Sequence, residues 1–362
     1  MNRATIEARL LDWMREEPER SDERRFSELA LALFAWQFAH CEPYARFCAG
    51  RGATPERVAH WEEIPAVPTG AFKETPLRSF RADRTVKTFR TSGTSDTARR
   101  GELHLDTLAL YESALVPSFE RALLPGFGPE RRIPMFVLAP SAADAPDSSL
   151  SHMFAVLLAR RGAPESGWFV RDGGLDVTAL DTACAAAAEP PLLCGTAFGF
   201  VHWVEALRRK GRRLTLPPGT RLMETGGFKG RARERSRETL YEEIAATLGV
   251  PAERIVNQYG MTELGSQFYD SVLASPGEPR RKRIPPWVRV RLLDPVTNDP
   301  VPDTEAGMIQ ILDLANTGSI ASVLTADLGR RRGDGFEVLG RDPEAEARGC
   351  SIALDEMLGG GR

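Results

Sequence analysis

The chain has 362 residues, 42% of them hydrophobic and 27% charged, with a formal net charge of −3. That length supports more than one packed unit, and the near-neutral balance excludes the basic footprint that nucleic acid requires. No run approaches the roughly 18 apolar residues of a membrane span, and the charge-rich start has no apolar leader, so a cytoplasmic location is expected.

Residues 3–17 and 24–49 have helical spacing, with Leu29, Leu33, Trp36 and Phe47 on an apolar side. Pro65, Pro68 and Gly70 break that pattern. Short apolar runs follow at Ile133–Ala139, Pro191–Cys194, Arg221–Met223 and Arg254–Asn257, alternating with helical stretches at 149–161, 176–188, 198–210 and 231–248. Such alternation predicts α/β layers around a largely parallel sheet. After about residue 284 the pattern becomes strands and turns, at Trp287–Leu293, Met308–Leu312 and Phe336–Leu339, which predicts a small β subdomain.

Five hydroxyls stand within seven residues at Thr91, Ser92, Thr94, Ser95 and Thr97, around Gly93. Two readings fit: a polar turn between strands, or a loop that wraps phosphate oxygens with hydroxyl and backbone donors. It is not a Walker loop, because GxxxxGK[ST] is absent. Arg99 and Arg100 follow, either as a solvated basic turn or as partners for pyrophosphate. Downstream, Glu224-Thr225-Gly226-Gly227-Phe228-Lys229-Gly230 places paired glycines after a strand, where backbone can approach a flat ligand. The last strand of the alternating region runs into Tyr259-Gly260-Met261-Thr262-Glu263. Tyr259 offers a stacking face, Thr262 a hydroxyl, and Glu263 a hard oxygen for Mg²⁺. A helix N-cap accounts for Thr262 and Glu263 but not for the whole string.

The cysteines are Cys41, Cys48, Cys184, Cys194 and Cys350. An odd count without CxxC pairing argues against a disulfide framework and a structural zinc site. Cys41, Cys184 and Cys194 lie in apolar or alanine-rich surroundings and read as buried thiols. Cys350 instead sits beside Arg348 and Gly349, near the end of the chain.

Taken together, these strings resemble the acyl-adenylate-forming superfamily. Thr91–Gly101 looks like its phosphate loop, Tyr259–Glu263 its YGxTE motif, Thr325-Ala326-Asp327 its TGD and Gly340-Arg341 its GR. Within that group the chain is most similar to the LuxE-type acyl-protein synthetases, on Phe72-Lys73, Ser148–Ser151, Gly195–Phe198, Glu224–Gly230 and Arg348–Ser351. The resemblance implies ATP-dependent activation of a fatty acid to acyl-AMP, then acylation of the protein's own cysteine. Delivery to a reductase, and possibly exchange with an acyl-transferase, would follow in that family.

By motif matching, Thr91, Ser92, Gly93, Thr94 and Ser95 would hold pyrophosphate, and Gly226, Gly227 and Tyr259 the adenylate. Asp327 would bind the ribose, Arg341 ribose or phosphate, Thr262 phosphate and Glu263 the Mg²⁺; Cys350 would accept the acyl group. The implied organisation is an adenylation core with a helical N-terminus over 1–283, a β subdomain over 284–341, and a short tail over 342–362 that carries Cys350. That tail stands where related enzymes have a whole C-terminal domain. Asp96, Ala326 and Arg99 or Arg100 depart from the superfamily's residues at their positions. Two other readings stay open: a free-standing acyl-CoA or aryl-CoA ligase, and a ligand-binding homologue without catalysis.

Overall fold

Near-continuous apolar runs make poor surface strands but good parallel ones, because a parallel sheet is covered on both faces. The computed structural model, which describes residues 1–16, 18–92, 99–226, 236–342 and 357, bears this out. Met135–Leu138, Leu192–Thr196, Arg221–Thr225 and Ile255–Tyr259 all pair in parallel, with Gly167–Trp168 beyond the first of them. Their order is Ile255–Tyr259, Arg221–Thr225, Leu192–Thr196, Met135–Leu138, Gly167–Trp168.

This sheet belongs to one of two compact units, made of Phe119–Gly260 and Tyr269–Arg280. Its helices include Ser149–Arg161, Val177–Ala186, Ala197–Arg209 and Arg237–Leu248. Each starts where a short polar side chain caps a free backbone N–H: Ser148 accepts from Ser151, Asp176 from Ala179, Thr196 from Gly199 and Ser236 from Thr239. Leu193 and Leu222 on the sheet share a buried core with Phe200, Trp203, Leu240, Ile244 and Leu248 on the helices.

The other unit comprises Met1–Ser118, Met261–Phe268 and Arg281–Arg362. It begins with helices Arg3–Glu16, Glu23–His40 and Glu42–Gly50, whose inner faces bury Leu10, Trp13, Phe26, Leu29, Leu33, Tyr44 and Phe47. Its main sheet follows the order Val67–Pro68, Ser322–Arg332, Ala306–Asp313, Val288–Leu293, with Gly335–Arg341 also paired to Ser322–Arg332. All of these pairings are antiparallel except that of Val67–Pro68. A separate hairpin joins Lys87–Arg90 to Glu102–Leu105. Met357, near the chain end, is fully buried, and its carbonyl accepts from Arg46 Nε at 2.6 Å.

Two elements escape a reading of hydrophobic period. Helix Ala109–Leu123 carries Pro117 in its interior, which ordinarily argues for a break. Strand Ser322–Arg332 spans 11 residues but ends in charged Arg330, Arg331 and Arg332, so its apolar signal fades half-way along. The expectation of a single helix over 24–49 resolves into two, because Cys41 takes an extended conformation (φ −123°) ahead of Glu42-Pro43.

Candidate active site

The hydroxyl loop grows from the hairpin. Its neck is closed by two bonds: Thr91 N–H donates to the Gly101 carbonyl at 3.0 Å, and Gly101 N–H donates to Thr91 Oγ1, also at 3.0 Å. Below the neck, Arg90 pairs with Glu102 at 2.8 Å. Thr91 is half-buried and Ser92 exposed, while Gly93, Thr94 and Ser95 lie outside the described residues. Arg99 is paired with Glu74, and Arg100 donates to the carbonyls of Thr91 at 2.5 Å and Arg90 at 3.3 Å. Here Arg100 braces the neck, and Arg99 ties its edge to Glu74. His104 is buried in the same hairpin, where burial first of all pushes its imidazole towards the neutral form.

Gly101 marks a convergence. A Cβ placed there would stand 3.1 Å from Thr91 Cγ2, 3.5 Å from Glu263 Oε1 and 3.6 Å from Lys73 Cγ. The loop's neck, the Glu263 carboxylate and the Lys73 stem therefore meet at one point, which only a residue without a side chain leaves open. Glu263 and Thr262 are both buried, at 6% and 9% exposure. A carboxylate so placed needs partners or a cation. The neighbouring hydroxyl and hard oxygen suit Mg²⁺ and phosphate together.

The segment after Glu263 is held by a buried carboxylate. Asp313 accepts from Ser266 N–H at 2.7 Å, Ser266 Oγ at 2.8 Å and Ala315 N–H at 3.0 Å. Trp287 Nε1 donates in turn to Ser266 Oγ at 3.0 Å. Complete burial pushes the Asp313 carboxyl up to about 6, against the opposing pull of those donors. In the same unit, Asp327 and Arg341 are direct partners across the antiparallel pair, half-buried and exposed respectively. Thr325 Oγ1 accepts from Asp327 N–H at 3.1 Å, and Asp342 N–H donates to the Ala326 carbonyl at 2.9 Å.

In the parallel-sheet unit, Gly226 follows strand Arg221–Thr225 with φ +85°, the left-handed region that glycine takes most readily. Gly227 lies outside the described residues. Tyr259, half-buried, ends the neighbouring strand, so both stand at the carboxyl ends of parallel strands, where such sheets present binding groups. Beneath them is a network without a forecast role. Glu224 is 2% exposed and accepts from Tyr241 Oη at 2.8 Å and Asn257 Nδ2 at 2.7 Å; Asn257 is its register partner. Thr225 Oγ1 donates to the Gln258 carbonyl at 3.2 Å. The available signal was a carboxylate directly after the short apolar run that ends at Met223.

Of the five thiols, four are described and all are buried. Burial pushes Cys48 and Cys184 up to about 12, and raises Cys41 and Cys194 as well. None of the four supplies a thiolate near neutrality. Cys350 lies outside the described residues.

Comparison with known proteins fits this geometry. The sequence model of the LuxE acyl-protein synthetases matches residues 2–359. The long-chain-fatty-acid–luciferin-component ligase of Vibrio harveyi is 21% identical over 347 residues, covering 92% of this chain and 88% of that one. Its counterpart from Aliivibrio fischeri is 29% identical over 114 residues, 29% of either chain. Among solved structures, an open conformation of 2-hydroxyisobutyryl-CoA ligase, in complex with its adenylate and CoA, superposes with a TM-score of 0.64 at 15% identity. That match covers 90% of this chain and 76% of the other. The same ligase in its thioesterification state gives 0.63 at 17% identity, over 90% and 69%. With the adenylate-forming ligase fold and a family match along nearly its whole length, the chain belongs to the LuxE acyl-protein synthetase family of acyl-adenylate-forming ligases.

Proposed function

We propose that this protein uses ATP to convert a fatty or related carboxylic acid to acyl-AMP, and then carries the acyl group on Cys350 for delivery to a reductase. The observation that carries the reading is the approach of the Glu263 carboxylate to the Thr91–Gly101 neck of the hydroxyl loop. In the first step a substrate carboxylate oxygen attacks the α-phosphorus, and the bond from that phosphorus to the α,β-bridging oxygen breaks to release pyrophosphate. Donors on the loop, with Thr91 and Ser92 at its start, hold the departing phosphates as charge builds on them. Thr262 adds a hydroxyl, Asp327 accepts from the ribose, and Arg341 supplies positive charge. Gly226 and Tyr259 hold the adenylate. Mg²⁺, bound through Glu263, would neutralise phosphate charge.

In the second step the Cys350 sulfur attacks the acyl carbon and AMP leaves, while the thiol proton passes to solvent. Burial of the other four cysteines leaves Cys350 as the acceptor this reading requires. The test combines ATP–pyrophosphate exchange with labelled fatty and aromatic acids. Acid-dependent exchange, with hydroxylamine-labile label on the protein that Cys350→Ala abolishes, is the expected result. Exchange with thioester formed only on added coenzyme A would replace the reading by a CoA ligase. No exchange with any acid would make the chain a ligand-binding homologue.

A further inference from the structure

Gln37 is an oddity of the N-terminal helices. It lies one turn on from Leu33 and two from Leu29, on the apolar stripe of helix Glu23–His40, and is 1% exposed. A buried amide is costly unless every polar atom finds a partner. Here each does: Nε2 donates to the carbonyls of Asn316 at 2.9 Å and Thr317 at 3.4 Å, and Oε1 accepts from Ala321 N–H at 3.0 Å. The amide grips a six-residue turn at both ends. That turn is further fixed by Ser79, whose Oγ donates to the Thr317 carbonyl at 2.9 Å and whose N–H donates to the Gly318 carbonyl at 2.8 Å. Asn316, itself 1% exposed, points Nδ2 at two more carbonyls, those of Ile320 and Glu263, both at 2.9 Å.

From this chain of contacts we infer that Gln37 is a positioning residue for Glu263, acting through Asn316 on the main chain that carries the carboxylate. The inference rests on the proposed role of Glu263 in ATP activation. Its logic is that a carboxylate serving a cation must be held within a fraction of an ångström, and the groups behind it decide whether it is. Glu263 comes from a turn rather than from a strand or long helix, so its backbone needs an external brace. The helical layer, which carries no recognised nucleotide motif, supplies one from more than two hundred residues upstream in sequence. Gln37 touches neither phosphate nor acid; its effect falls on the geometry of Glu263.

Gln37→Met keeps length and apolar packing while removing all three bonds. The assay is pyrophosphate exchange at saturating ATP and acid, titrated with Mg²⁺, on the full-length protein, with thermal melting measured alongside. The expected result is a roughly tenfold rise in the Mg²⁺ needed for half-maximal exchange, with the KM for the acid unchanged. Asn316→Asp, which removes the donor to Glu263, should shift the Mg²⁺ requirement the same way; it carries the test if Gln37→Met does not fold. In Glu263→Gln, adding Gln37→Met should cost little more. An unchanged Mg²⁺ requirement in both folded variants, with Glu263→Gln inactive, overturns the inference alone. Wild-type exchange in Glu263→Gln overturns the inference together with the reading beneath it.

Discussion

Asp327 and Arg341 stand directly opposite one another across the pair Ser322–Arg332 and Gly335–Arg341, although 14 positions separate them in sequence. The register breaks between Leu328 and Gly329, beside this pair. A bulge re-aims nearby side chains, and here it accompanies the two residues assigned to ribose and phosphate. Arg341→Ala is expected to lower kcat/KM for ATP by roughly tenfold to a hundredfold, as loss of one charged hydrogen-bonding group does. Asp327→Asn should raise KM for ATP and leave the melting temperature nearly unchanged. Steady-state exchange kinetics check both; an unaltered ATP dependence in both variants would remove the pair from the nucleotide site.

Gly101→Ala probes the convergence at the loop neck. The new methyl would meet Thr91 Cγ2 at 3.1 Å, close enough to push the loop's neck by a few tenths of an ångström, and would rest in van der Waals contact with Glu263 Oε1 at 3.5 Å. Exchange should fall by about tenfold, the rate cost of about 1.4 kcal/mol of lost transition-state stabilisation, while global unfolding changes little. Parallel loss of activity and of stability would instead mark Gly101 as a packing residue.

Asp313 makes stability depend on pH in a definite direction. Burial holds its proton until about pH 6 in the folded chain, whereas an unfolded aspartate loses it near 3.9. Between those values the folded state binds the extra proton, so stability is fullest below the window and falls as pH rises through it. About two pH units at 1.36 kcal/mol each give a decline on the order of 3 kcal/mol. Asp313→Asn should lack this component. Urea unfolding of both proteins from pH 4 to 7 tests it, and curves that stay parallel would refute the assignment.

The buried end of the tail offers a fourth test. Met357 is fully buried, with its carbonyl bound by Arg46 on helix Glu42–Gly50. Met357→Asp places a charge where no water is available, so that seat should release. Labelling of Cys350 is expected to drop about fivefold or more, since a misplaced nucleophile loses the benefit of proximity, while exchange stays within about twofold. Equal labelling in the two proteins would show that seating is irrelevant to transfer.

Hydrophobic period alone placed most of the parallel sheet, because strands such as Leu192–Thr196 are buried on both sides and read as unbroken apolar runs. Helix Ser149–Arg161 was legible to the residue as a helical stretch between two apolar runs, and the structure adds the Ser148 cap at its start. The strand carrying Asp327 was visible only as a three-residue motif, since alternation is lost among its arginines. The chemical strings were readable because a hydroxyl loop and a Tyr-Gly-Met-Thr-Glu run are rare as local solutions to turning. What holds them was not. Gln37, Asn316, Glu224 and Asp313 act through partners up to 284 positions away, and no local pattern announces such a partner.

The four buried thiols bear on selectivity rather than on structure alone. An acyl-adenylate is an indiscriminate acylating agent, attacked at its acyl carbon by whichever strong nucleophile reaches it first. A protein that makes one within its own fold risks modifying itself at random. Keeping Cys41, Cys48, Cys184 and Cys194 both inaccessible and protonated withdraws them from that competition before any acid is activated. On the proposed reaction, fidelity of the acceptor is achieved by subtraction, with the hydrophobic core acting as a protecting group.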